Sequence, residues 1–277
     1  MGLMAAINVI FSLFTAFVPF LSVALIIFIP LTSTLVEVYC KDRYFPIYAI
    51  ATLGLSIVAS LSAIDFTLFY LVPSIVTGYI FGLMAKKGFP NLWGIFIAAV
   101  LQTGISFAFI PLIQLITEHN LIEDIIKILQ ITDTTYFNNL LILIFFVVAL
   151  IQTVLSFIVV NNELRKFGVR NTSEKDWRLP VALATILSSG LAAGLFFVYV
   201  PISLICVGFA WYFAVFSVVF EINRKAKVST IIMCSMLLVN LFAFAGLNQF
   251  VEKGSEFILL GIAPLCISLI SLGFYFL

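Results

Sequence analysis

Few residues in this chain could do chemistry, and their spacing argues against most kinds of it. The single histidine, His119, stands among 277 residues with no cysteine near it, so proton transfer through it would need partners that the sequence does not advertise. No His-Glu-x-x-His, Gly-x-Ser-x-Gly or Gly-x-x-x-x-Gly-Lys segment occurs, and these are the spacings that place a metal, a nucleophile or a phosphate. The cysteines, Cys40, Cys206, Cys234 and Cys266, lie far apart without a Cys-x-x-Cys pair. Three fall inside apolar runs, where a thiol behaves as a small buried hydrophobe. The expectation is no enzyme, no catalytic residue, no metal and no cofactor.

What remains are carboxylates and amides in apolar surroundings, groups that bind rather than react. Asp65, in the turn Ser62-Ala-Ile-Asp-Phe, reads in two ways. It caps the helix that follows, where a carboxylate meets free N–H groups and the favourable end of the helix dipole, or it contacts a ligand. Glu37 precedes Lys41 by four residues, the spacing of an ion pair along one helix face. Asn8, Gln102, Thr103, Gln114, Gln152, Asn240, Asn248 and Gln249 recur within apolar runs. Such groups commonly join one helix to the next, because lipid offers them no hydrogen bond. A subset sorts by depth toward one outward-facing mouth: Asp65, Phe66 and Tyr70 at the head of a fourth span, Gln102 and Gln114 on a fifth, Asn138 and Asn139 at the start of a sixth. A few polar groups among aromatic walls suit a small-molecule site, and these are the candidate substrate-binding residues. In the loop Glu118 to Asp133, LIEDIIKIL has apolar residues at 121, 122, 125, 126, 128 and 129. That pattern is an amphipathic turn lying on the surface, either as a cover or as a lid over the mouth.

The elements that position these residues follow from composition. Hydrophobic residues make up 63% of the chain and charged ones 10%, against about 45–50% and about 25% in soluble domains. The net charge of +1 excludes a nucleic-acid partner, which needs clustered excess Lys and Arg. Uncharged stretches run over 1–36, 44–64, 66–85, 88–117, 134–162, 179–220, 228–251 and 257–277, each long enough for the roughly 20 helical residues that cross a hydrocarbon core. Pro19 splits the first stretch into helices over about 3–18 and 21–39, and Tyr199-Val-Pro201 splits that of 179–220. A single kinked helix over the first stretch is the alternative. The opening segment lacks the basic n-region of a cleavable signal and is expected to remain as a span.

Short cytoplasmic loops are enriched in Lys and Arg, and the basic residues alternate accordingly. Lys41 and Arg43, Lys86 and Lys87, then Arg165, Lys166, Arg170, Lys175 and Arg178, then Arg224, Lys225 and Lys227 mark one side; only Lys127 and Lys253 fall on the other. The fold class predicted is an all-α polytopic transmembrane bundle of ten spans, six plus four, with both termini cytoplasmic. The expected domains are a six-helix membrane domain over 1–162, a basic cytoplasmic loop over 163–179 and a four-helix domain over 180–277. No ATP-hydrolysing segment is present, and intramembrane acids of the proton-relay kind are expected to be absent, so any active transport would draw energy from a partner.

In LVPSIVTGYIFGLMAKKG (71–88), a helix with proline and glycine ends in a basic turn. In NNELRKFGVRNTSEKDWRLP (161–180), a Lys-Phe-Gly turn precedes a Trp-Arg-Leu-Pro helix entry. In these motifs the chain resembles the YybS-type family of bacterial membrane proteins of unknown function, and residues 1–162 resemble in layout the substrate-binding S components of energy-coupling-factor vitamin transporters. The resemblance implies a bacterial plasma-membrane location, a small vitamin-like substrate, and a transmembrane coupling subunit with ATPase subunits as partners. S components seat the coupling subunit on an Ala-x-x-x-Ala pattern of the first helix. The nearest equivalent here is Gly2 to Ala6, which, with Arg165, Lys166 and Arg170 of the basic loop, is the expected docking surface. The alternative function is a non-transporting scaffold of the cell envelope that docks partners through 161–178.

Overall fold

The structure, a computed structural model, describes residues 1–18, 22–60, 67–117, 134–169, 177–223 and 256–276, with short pieces at 122–123, 126, 231–233 and 235. The regular structure among them is helical throughout: α1 Gly2–Phe17, α2 Ser22–Tyr39, α3 Phe45–Ala59, α4 Val72–Lys87, α5 Asn91–Thr117, α6 Thr134–Lys166, α7 Arg178–Phe196, α8 Val200–Asn223 and α9 Glu256–Phe276.

Proline and glycine set most of the breaks. Val18 leaves the helix at φ −131° and ψ 80°, because the ring of Pro19 disfavours helical backbone in the residue before it. The first uncharged stretch is accordingly two helices. Pro46 and Pro73 sit in the first turns of α3 and α4, where a missing N–H costs nothing. Gly88 ends α4 in the left-handed conformation at φ 63°, and Gly168 follows α6 at φ 79°, a backbone that side chains rarely adopt. Pro201 stands in the first turn of α8, and the chain breaks at 197–199 as its position predicts.

Five helical segments are long and apolar enough to cross a membrane: Phe69–Lys87, Asn91–Ile116, Leu140–Lys166, Arg178–Phe196 and Val200–Ile222. Gly2–Phe14, Leu25–Tyr39 and Ile262–Gly273 are apolar but shorter. The stretch 228–251 lies largely outside the described residues. The exterior of these helices is as apolar as their interior. Leu115 is 82% exposed, Val58 71% and Ile50 73%, while Asn8, Ser33, Thr34, Thr52, Thr153 and Thr185 are fully buried. In water such a surface would associate; the chain is a membrane protein, with lipid against its apolar faces.

The chain divides into two compact units, one of Met1–Ile131 with Phe145–Ser173 and the other of Thr132–Ile144 with Glu174–Leu277. In the first, α2 packs along α4, α4 against α5, and α1 against α3 and α2. Ala5, Ile29, Val36, Phe45, Tyr48, Leu71 and Ile75 form its apolar core. In the second, α7, α8 and α9 pack pairwise, with Ala214, Val218, Met233 and Ile267 buried together.

Candidate functional site

A cluster of amides lies at the middle of α5. Gln102 is 5% exposed; its Nε2 donates to Gln152 Oε1 of α6, and its Oε1 accepts from Thr77 Oγ1 of α4 at 3.3 Å. Thr153 Oγ1 divides its proton between Gln102 Oε1 at 3.2 Å and the Ala149 carbonyl at 2.6 Å. An amide stays in apolar surroundings only with partners, and here two neighbouring helices supply them.

Aromatic rings form a tier next to it. The chain enters α4 through a π-helical turn, Thr67–Leu71, a rare geometry frequent at functional positions. Phe69 of this turn meets Tyr70 and Phe145 at centroid distances of 5.1 and 5.8 Å, and Phe145 meets Phe107 at 5.1 Å. The pairings Gln102 with Gln152 and Phe107 with Phe145 run in opposite directions along α5 and α6, so these segments are antiparallel. Phe107 and Phe145 are thus both displaced from the amides toward the same end, by roughly 8–10 Å at helical rise. Rings above neutral amides can hold an uncharged or weakly polar organic molecule; nothing in the cluster can exchange a proton near neutral pH.

The α2–α4 seam is built for close approach. An added Cβ at Gly78 would stand 2.5 Å from both the Pro30 carbonyl oxygen and Ser33 Cβ, and one at Gly82 would overlap Glu37. Gly78-x-x-x-Gly82 is therefore a small-residue packing motif, reinforced by Thr34 Oγ1, which shares its proton between the Pro30 carbonyl at 2.7 Å and the Gly78 carbonyl at 3.0 Å. The contacts advance in the same direction on both helices, which makes α2 and α4 parallel. At the seam's basic end the Lys86 ammonium uses all three of its N–H bonds: to Asp42 Oδ1 at 2.6 Å, the Cys40 carbonyl at 2.9 Å and Glu37 Oε1 at 3.1 Å. That ammonium holds the Asp42 carboxyl below the ordinary aspartate value of 3.8. Glu37 was expected to pair with Lys41; its partner is Lys86, because burial in the seam turns its carboxylate away from the exposed Lys41.

Tyr70 and Gln102 belong to the cluster just described. Asp65, Phe66, His119 and Arg170 lie outside the described residues, as does most of the 118–133 loop. Gln114 is exposed, three turns and roughly 18 Å along α5 from Gln102, and the two are not brought together. Asn138 is exposed and Asn139 lies beside it on α6, in the other unit from Gln102. Gly2 and Ala6 are exposed on α1, one turn apart, with open space at Gly2. Arg165 and Lys166 are exposed at the end of α6, where Lys166 pairs with Glu163 at 2.6 Å.

One buried acid was not among the expected site residues. Glu221, taken as the charged boundary of an apolar run, has a side chain 2% exposed and stands 3.8 Å from Arg178, itself 8% exposed. The Arg178 guanidinium also lies over the Tyr275 ring at 4.8 Å. Buried carboxylates are thus present at Glu37 and Glu221, each beside a cation, where none of the relay kind was expected. The signal was available, since both acids stand within three residues of the end of a long apolar run. Among the described residues no group of His, Cys, Asp and Glu could hold a metal ion. Neither a protein-family model, nor a curated protein, nor a solved structure matches the chain.

Proposed function

We propose that the chain is a solute-binding membrane subunit of the S-component type, with ten spans and both termini in the cytoplasm of a bacterial cell. It takes a small neutral, vitamin-like molecule from outside and depends on a separate ATPase module for energy. The observation that carries this reading is the tier of Phe69, Tyr70, Phe107 and Phe145 beside the hydrogen-bonded Gln102–Gln152 amides, the combination of apolar walls with few convergent polar groups that small-molecule sites use. Its support in the sequence is the layout resemblance of residues 1–162 and the one-sided distribution of Lys and Arg.

The test is thermal stability of the purified protein against a panel of water-soluble vitamins. One of them should raise the unfolding midpoint, and Tyr70→Leu should remove the shift while leaving the unliganded midpoint close to wild type. A panel with no stabilising member sinks the reading. The exposed Arg165 and Lys166 favour the second one, a scaffold that docks envelope or cytoplasmic proteins through 161–178. Partner capture that is lost with Arg165→Ala and Lys166→Ala, together with a silent vitamin panel, would establish it.

A further inference from the structure

On α3 the polar residues Tyr48, Thr52, Ser56 and Ser60 recur every fourth position, and none is more than 2% exposed. Both ends of this stripe meet α1. Asn8 Nδ2 donates to the Tyr48 hydroxyl at 2.8 Å, and Ser60 Oγ lies 3.3 Å from Ser12 Oγ. Thr52 and Ser56 lie between them on the same buried face of α3.

Buried threonine and serine in a helix ordinarily return their proton to the carbonyl of the preceding turn. Thr34, Thr103, Thr153, Thr185 and Ser217 all do so here. Thr52 Oγ1 and Ser56 Oγ do not: the Tyr48 hydroxyl lies beside Thr52, yet neither oxygen meets hydrogen-bond geometry with any partner among the described residues. Two unmade hydroxyl bonds, one turn apart in an apolar interior, are costly, and an ordered molecule is what such groups commonly bind.

We propose that the α1–α3 seam seats a neutral hydrogen-bonding occupant, water or the hydroxyl of a small solute, against Thr52 Oγ1 and Ser56 Oγ. A charged occupant is excluded by the lining: neither the stripe nor Asn8 and Ser12 carries a charge, and the Asn8 amide is committed, its N–H to Tyr48 and its oxygen to Thr32 at 2.6 Å. The occupant both gives and accepts, as a hydroxyl lining requires. This seam is separate from the α4–α6 cluster and does not rest on the solute-import reading.

The experiment uses the full chain in lipid nanodiscs with the four native cysteines replaced by alanine. Thr52→Cys, Ser56→Cys and, as a dry control, Ala214→Cys are exposed to 2-aminoethyl methanethiosulfonate; Ala214 is fully buried among apolar side chains. Because only the hydrated thiolate reacts, the seam positions should be modified on the order of tenfold faster than the control. Equal rates at all three positions would overturn the proposal. Added glycerol separates the two occupants, slowing the seam positions if a solute hydroxyl is admitted and leaving them unchanged if only water is. As a check independent of reactivity, Thr52→Val with Ser56→Ala should lower the unfolding midpoint through loss of the occupant's bonds; an unchanged or raised midpoint would mean that the hydroxyls are dry and refute the seam.

Discussion

Gln102 shows what a single polar residue does in this interior. Its amide nitrogen and oxygen are both engaged, by Gln152 on one side and by Thr77 and Thr153 on the other, so replacing it strands groups on two other helices. Gln102→Leu should destabilise the protein by about 1–3 kcal/mol, the cost of buried polar groups left without partners. Gln102→Leu combined with Gln152→Leu should recover part of that loss, because the second substitution removes the stranded amide. Unfolding midpoints of the two single variants and the double variant measure the coupling; strict additivity would show that the amides do not act together. Glu37 and Lys86 obey the same logic with charge added, since the carboxylate was legible as a residue while its partner, 49 positions away, was not.

Among the elements, the α2–α4 seam depends on the absence of two side chains. Gly82→Ala forces a Cβ against Glu37 and should cost about 1–3 kcal/mol by overpacking, with the Glu37–Lys86 pair drawn apart. Gly54 in α3 has nothing near its missing Cβ, so Gly54→Ala should stabilise by about 0.5–1 kcal/mol through helix propensity alone. Parallel denaturation of the two variants checks the contrast, and a tolerated Gly82→Ala would mean that the helices pack less closely than described. The motif Gly78-x-x-x-Gly82 is visible in the sequence as a spacing, yet spacing alone does not say which helix it faces. Pro30 illustrates the converse. Proline inside an apolar run suggests a break, but α2 continues through it, with Thr34 Oγ1 donating to the Pro30 carbonyl at 2.7 Å.

For the whole molecule, orientation is the property most open to test. If twelve of the fourteen basic residues mark the cytoplasmic side, then cysteine substituted at Asn120 should be labelled from outside and at Asn171 from inside by a membrane-impermeant reagent, and labelling from the same side would overturn the loop assignment. Membrane residence was determined by the sequence itself: 63% hydrophobic residues in uncharged runs leave no soluble arrangement for so much apolar surface, whatever the packing. Helix ends were largely determined as well, because Pro19, Pro201, Gly88 and Gly168 act on the backbone within one or two residues of themselves. Only the tertiary structure decided which polar groups meet. It joined Gln102 to Gln152, turned Gln114 outward, set Glu37 on Lys86 and buried Glu221 beside Arg178. Those outcomes depend on the rotation of each helix about its axis and on which helix lies beside it, and a sequence so uniformly apolar on every helix face carries almost no signal for either.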